Sequence, residues 1–297
     1  MFFFIITHKL SFSNPRLIMK TLDFKGQCGD NQKQDLCEFK KVQGCFIDVS
    51  AGWDFSLAIN ENGEAFGCGS NYFGQLGLGD RVKNVCEFTK LDIPEKVIKV
   101  SAGMRHSLFL LADGTLKVCG SGKKGQLCDL EKSNQEFPKN VKFDKKAIGV
   151  KTGQNFSLVE FDDGSFKAFG DDKYNQVTKI NEFCDYSQVK QIELGWSHAV
   201  ILFKCGQLKA FGRNDYGQTS CTLASENVKI SQISSGYEHC LAQSDNQELY
   251  SWGWNEHGNC GIGHTDNVLT PTKVIFEKNA VVKCVAGSGH SFALVRN

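Results

Sequence analysis

Charge of one sign is missing from this chain. Its 34 Lys and Arg balance 33 Asp and Glu, for a formal net charge of +1. That balance removes the electrostatic case for a nucleic-acid or membrane surface. No run of about 20 apolar residues occurs, so no transmembrane helix is expected. The apolar start, Phe2-Phe-Phe-Ile-Ile6, has no basic residue before it and no small-residue cleavage site soon after. It is shorter than the roughly 7–15 apolar residues of a signal peptide. There are 13 Cys but no C-x-x-C pair, which argues against a zinc ribbon or thioredoxin-type motif. Cys28, Cys68 and Cys119 each precede a marker glycine, so the thiols read as small apolar filler in a reducing cytosol. The expected location is the cytoplasm, with the nucleus as an additional site.

Proline is also scarce, at 4 residues, whereas Gly reaches 30 and Phe 23. Such a composition suggests many short strands joined by tight turns. The glycines are periodic. A first set, Gly52, Gly103, Gly153, Gly195, Gly236 and Gly287, follows a small residue or Leu and precedes a short apolar stretch. A second set, Gly69, Gly120, Gly170, Gly212 and Gly253, closes an aromatic or Cys-containing strand. The separation within each pair is 17 residues in all five pairs, which chance does not produce. Ten residues after each first glycine lies a hairpin turn: Asn62-Gly63, Asp113-Gly114, Asp163-Gly164, Cys205-Gly206 and Asn246-Gln247. A loop ending in Gly-Gln or a variant follows each second glycine: Gly74-Gln75, Gly125-Gln126, Asn175-Gln176, Gly217-Gln218 and Gly258-Asn259.

First glycines are spaced 51, 50, 42, 41 and 51 residues apart. That suits one four-stranded blade per unit. The expected fold is all-β: a single β-propeller of six four-stranded blades over residues 21–297, with seven blades as the alternative. The last unit stops near its turn. Its missing half is expected at the other end, in Phe24-Lys-Gly-Gln-Cys-Gly29-Asp-Asn-Gln32, so that the N-terminal strand closes the C-terminal blade. Residues 1–20 are then a disordered extension, or translation starts at Met19 rather than Met1.

No catalytic constellation emerges. The pairs His106-Ser107 and His290-Ser291 recur at one repeat position, and Phe55 and Phe156 fill the His slot elsewhere. A slot taking His or Phe needs a flat ring, not a proton acceptor for one nucleophile. Gly120-Ser-Gly-Lys-Lys-Gly125 fits a G-x-G-x-x-G pattern but lies in the repeat loop with no helix after it, so no dinucleotide is expected. No cofactor or metal set is evident. Basic residues occur only as pairs, Lys123-Lys124 and Lys145-Lys146, so no direct nucleic-acid contact is expected.

The variable residues carry the functional signal. Behind each first glycine stand two residues that the repeat does not fix. They include Trp53-Asp54, Met104-Arg105, Trp196 and Tyr237-Glu238. Trp, Tyr, Met and Arg beside acids are the residue types of a protein-binding hot spot. A second candidate lies in Ser251-Trp-Gly-Trp-Asn-Glu-His-Gly-Asn-Cys-Gly261. Trp252 takes a slot filled by Phe169 and Phe211 in sister copies, and Asn255 matches Asn71 and Asn214. Trp254, Glu256 and His257 remain as candidates for display to a partner.

The Ala-Gly-x-x-His-Ser element at 102–107 and 286–291, the Asp-Gly turns and the stretch from Ser70 to Gly79 resemble the regulator of chromosome condensation repeats. The resemblance covers residues 22–297 and implies a β-propeller. Gly52-Trp53-Asp54 and residues 252–261 are similar to the branch of the yeast alpha-tubulin suppressor, or killer-toxin-insensitivity protein, and the animal secretion-regulating guanine nucleotide exchange factor. That resemblance implies a non-catalytic, monomeric propeller whose partner is a small zinc-ribbon (CSL-type) electron carrier. The pair would serve diphthamide synthesis and wobble-uridine transfer RNA modification. The alternative it implies is nucleotide exchange on a small GTPase.

Overall fold

The middle strand of each repeat is apolar on consecutive residues, and the computed structural model shows why. In His106-Ser-Leu-Phe-Leu-Leu111 every residue is buried. Leu108 and Leu110 pack with the repeat that follows, whereas Phe109 and Leu111 pack with the one before. Alternate side chains of a strand point to opposite faces, so a sheet sandwiched between two others is apolar on both. The structure describes residues 2–6, 17–21, 27–29, 40–41, 44–128, 132–183, 186–223, 227–276 and 280–296.

Two compact units are formed, Phe2–Asp171 and Asp172–Asn297. The first begins with β1 (Phe2–Ile6), β2 (Leu17–Thr21) and β3 (Lys40–Lys41), a three-stranded antiparallel sheet. Residues 2–6 and 17–20 of the segment expected to be an extension are therefore in strands. Next comes a four-stranded sheet of β4 (Phe46–Ala51), β5 (Phe55–Asn60), β6 (Ala65–Ser70) and β7 (Asn84–Lys90). The second repeat adds β8 (Val97–Ala102), β9 (His106–Leu111), β10 (Leu116–Gly120) and β11 (Gln135–Val141). The third has β12 (Ala147–Thr152), β13 (Phe156–Phe161) and β14 (Phe166–Gly170).

The second unit opens with a short helix, α1 (Gln176–Asn181), whose first N–H groups at Val177 and Thr178 are held by the Asp172 carboxylate. A three-stranded sheet follows: β15 (Val189–Leu194), β16 (His198–Phe203) and β17 (Leu208–Gly212). The fifth repeat has four strands, β18 (Ile230–Ser235), β19 (His239–Ser244), β20 (Leu249–Gly253) and β21 (Val268–Lys273). The sixth has β22 (Ala280–Ala286) and β23 (Ser291–Arg296).

Four strands in every repeat is thus not what is found. Among the described residues, three of the six repeat sheets have four strands, two have three and the last has two. The spacing tracks the three-stranded pair. Repeats whose first glycines are 50 or 51 residues apart have an outer strand, and those at 42 and 41 have none among the described residues. In the described part of the N-terminal segment, Gln27–Gly29, no strand is found, so closure of the last sheet by an N-terminal strand is not seen there. Gln27 O accepts the Ser56 hydroxyl (2.7 Å), as Gln126 O accepts that of Ser157 (2.7 Å). So Gln27-Cys28-Gly29 is a copy of Gln75-Leu76-Gly77. Cys28 fills the Leu76 slot, not that of Cys68, and Gly29 has the φ of Gly77, 66° against 68°. The rest of Phe24–Gln32 lies outside the described residues.

Side chains cover the free edge of the inner strands. Ala102 N–H donates to Ser50 Oγ (2.9 Å), and Ala286 N–H to Ser234 Oγ (2.9 Å). Gln191 takes both Ile233 N–H (3.1 Å) and Ile233 O (2.8 Å). Backbone groups that would otherwise template another strand are consumed by the neighbouring repeat.

Candidate functional face

The turn after each inner strand is built on its first glycine. That glycine's N–H donates to the carbonyl three residues on, as in Gly103 to His106 (2.9 Å) and Gly236 to His239 (2.8 Å). The ring of that third residue lies over the glycine, and any Cβ there would overlap it. The two residues between are forced to the tip of the turn. Each second glycine, with φ between 97° and 114°, stands against the carbonyl of the second tip residue. The residue after it donates to that same carbonyl: Ser70 to Asp54 (2.8 Å), Ser121 to Arg105 (2.7 Å) and Trp254 to Glu238 (2.8 Å). Tips and Gly-Gln loops therefore share one end of each sheet. Trp53, Asp54, Met104 and Arg105 lie at that end in the first unit. Trp196, Tyr237, Glu238, Trp254, Glu256 and His257 lie at it in the second.

The first tip residues are linked from repeat to repeat. Met104 N–H donates to Gln154 O (3.0 Å), and Trp196 N–H to Tyr237 O (2.8 Å). The Trp196 ring meets Tyr237 edge-on, with centroids 4.3 Å apart. Trp53 is 45% exposed, an unusual state for so large an apolar ring.

The second tip residues turn toward the loops. Asp54 accepts from Gln75 Nε2 at 3.4 Å, and the Arg105 guanidinium stacks 4.4 Å from the Phe73 centroid. Glu238 is held most firmly, by Arg213 Nη1 (2.7 Å) and by Gln218 Nε2. Arg213 also pairs with Asp215 (2.6 Å) and lies 5.2 Å and 5.9 Å from the Tyr216 and Tyr174 rings. Burial raises the Glu238 pKa, and the guanidinium pulls it back. Glu238 thus organises the loop beside it as well as lining the face.

Residues 251–261 divide as the sister copies lead one to expect. Trp252 is fully buried and donates its indole N–H to Gln218 O (3.2 Å). Asn255 Oδ1 accepts Cys260 N–H (2.8 Å), as Asn71 Oδ1 accepts Leu76 N–H (2.9 Å). Trp254 is half-buried, edge-on to His257 at 5.0 Å, whereas Glu256 and His257 are exposed. Arg213, Tyr174 and Tyr216 escaped the sequence reading. The signal was a column: Phe73, Tyr174, Tyr216 and His257 each stand just before the Gly-Gln element, and Arg213 aligns with Trp254.

The His–Ser pairs make links between repeats. His106 Nε2 meets Ser157 Oγ at 2.9 Å, and His239 Nε2 meets Ser291 Oγ at 3.0 Å. In the second unit Cys240 replaces the serine, 3.2 Å from His198 Nε2. Because Ser157 gives its own proton to Gln126 O, the imidazole must be the donor. The neutral Nε2–H tautomer follows. Nδ1 of His106, His198 and His239 is buried without a hydrogen-bond partner, where a hydrolase would place a carboxylate. Among the described residues no three His, Cys, Asp or Glu side chains are placed to hold a metal ion.

A repeat of this architecture, with a framework that fixes glycines and rings while tips vary, defines a class of repeat propeller. The chain belongs to the RCC1-like domain family, which matches residues 19–293. It is 31% identical to the secretion-regulating guanine nucleotide exchange factor of Bos taurus, over 92% of this chain and 70% of that protein. Two solved structures share its fold. Human WBSCR16 has a TM-score of 0.78 at 21% identity, covering 98% of this chain and 90% of the other. Prp20p of Saccharomyces cerevisiae, characterised with its binding to Gsp1p and histones, has 0.80 at 19%, covering 94% and 77%.

Proposed function

We propose that this chain is a docking propeller that binds a small GTPase and speeds release of its guanine nucleotide. The observation that carries the reading is the row of tips at one end of the sheets within each unit. In each unit, tip residues with no role in the repeat framework stand side by side, linked by backbone hydrogen bonds, and present Trp, Met and Tyr. Clustered aromatic anchors ringed by charge are what a protein interface needs. The kinship with a protein named as an exchange factor, and with one that binds Gsp1p, makes a GTPase the partner of choice. Six blades, closed through the Gln27 element, complete the proposed ring in the cytoplasm.

The test is release of fluorescent GDP from purified GTPases, beginning with one of the Gsp1p type. Acceleration by catalytic amounts of the chain, lost in Trp196→Ala, is the expected result. Unchanged release across a panel, with nucleotide-free GTPase failing to bind, overturns it. The zinc-ribbon partner and its roles in diphthamide and transfer RNA modification would use tip and loop residues such as Trp53-Asp54 in the first unit or Trp254 in the second. Recovery of a small zinc-binding protein, in place of a GTPase, in a pull-down from the native source is the outcome that favours that reading.

A further inference from the structure

In the fourth repeat the third strand, β17, lacks the outer neighbour that its sisters in the first, second and fifth repeats have. An outer strand lies beyond β6, β10 and β20, and none lies beyond β17 among the described residues. Phe203 N–H donates to Gln207 O (2.9 Å), which sets the alternation of the ladder. Lys209 and Phe211 bond inward to β16, so the N–H and C=O groups of Leu208 and Ala210 point outward. At the place of Leu208 the sister carbonyls are used. Leu91 N–H donates to Ala65 O (2.9 Å), and Val274 N–H to Leu249 O (2.8 Å). No such bond reaches Leu208 O from the described residues. Burial agrees: all five residues of β20 are buried and none of β17 is.

The side chains at this edge are also changed. In the first and fifth repeats the outer strand places a lysine opposite an aromatic, Lys90 opposite Phe66 and Lys273 opposite Tyr250. Each lysine then pairs with a glutamate at the turn, Lys90 with Glu64 and Lys273 with Glu248. The fourth repeat has Gln207 in place of the glutamate and exposed Lys209 in place of the aromatic. The Lys209 ammonium lies 5.4 Å and 5.3 Å from the Phe183 and Phe211 centroids, with no carboxylate partner among the described contacts. The charge required of an incoming strand is therefore reversed.

We propose that β17 takes up an extended segment of a partner protein as an antiparallel fourth strand, with a carboxylate opposite Lys209. Backbone groups of Leu208 and Ala210 supply affinity and Lys209 selects the acidic segment, as in recognition by strand addition. This edge shares no residue with the face discussed above, so the inference stands or falls apart from the GTPase reading.

The probe is a synthetic peptide copying residues 84–91, the outer strand of the first repeat, with Cys86 replaced by Ser and Lys90 by Glu. Hydrogen exchange of the isotope-labelled full chain is followed by NMR. The peptide is expected to slow exchange at Leu208 and Ala210 about tenfold at saturation. The same peptide with Lys90 retained binds more weakly, and Lys209→Glu inverts that order. Ala210→Pro removes an outward N–H while leaving the inward ladder, and abolishes binding. Unchanged exchange at these two amides with millimolar peptide overturns the proposal, as does equal binding to Ala210→Pro. If chain concentration alone protects the two amides, the occupant is a second copy and the proposal fails.

Discussion

A buried histidine that must donate from Nε2 makes the protein sensitive to acid. Burial lowers the pKa of His106 and His198 to about 3, and of His239 and His290 to about 4, against 6.5 in the unfolded chain. Below pH 6.5 the unfolded state takes up protons that the folded state refuses. Stability is therefore complete above pH 6.5 and falls as pH drops toward the folded values, by about 1.4 kcal/mol per pH unit for each histidine. Urea unfolding at pH 7.5 and pH 5 should show the loss. His106→Phe, which copies Phe55 and Phe156, should flatten the slope by one histidine. Ser157 keeps its bond to Gln126 O, so the cost at neutral pH is expected within about 1.5 kcal/mol. The ring slot was legible in the sequence because Phe and His alternate in it. The Nε2–Ser links were not, since they join residues about 50 positions apart whose pairing only packing reveals. Cys28 was legible as a buried thiol but was set in the wrong column. A Gly beside a Cys looks alike in two places, and only the Gln27 carbonyl tells them apart.

At the scale of the element, turns and spacing were readable and outer strands were not. The hairpin turns carry glycine at φ 80° to 89° in four repeats, and the fifth puts Gln247 at φ 64°. A side chain in that region costs roughly 1–2 kcal/mol. Gln247→Gly should therefore raise stability by about 1 kcal/mol, seen as a higher melting temperature. Asn175 and Cys128 hold comparable positive φ, 59° each, at loop positions where sisters use glycine. Outer strands escape because their residues are half-exposed and alternate weakly: β11 reads Gln-Glu-Phe-Pro-Lys-Asn-Val, with its proline on the unpaired side. The first-glycine spacing follows the strand count, since the repeats with an outer strand are the ones 50 or 51 residues long.

The whole molecule presents tip residues from two units, and substitution can ask whether one partner touches both. Trp53 is 45% exposed and Trp196 half-buried against Tyr237, whereas Trp252 is sealed in the core. Trp252→Ala should cost about 3–5 kcal/mol and leave little folded protein. Trp53→Ala should change stability by less than about 1 kcal/mol. Any loss of partner binding in Trp53→Ala is then a surface effect, and calorimetry on the folded variant measures it. Changes at separate sites add when they do not share contacts. If the partner spans both units, Trp53→Ala and Trp196→Ala each weaken binding, and the double variant loses the sum of the two free energies. If one unit suffices, one of the two is silent and the double variant behaves like the other. The aromatic tips are legible from sequence as a set, because the framework around them is fixed while they vary. Which of them a partner would read does not follow from the repeat, and this comparison of single and double variants measures it.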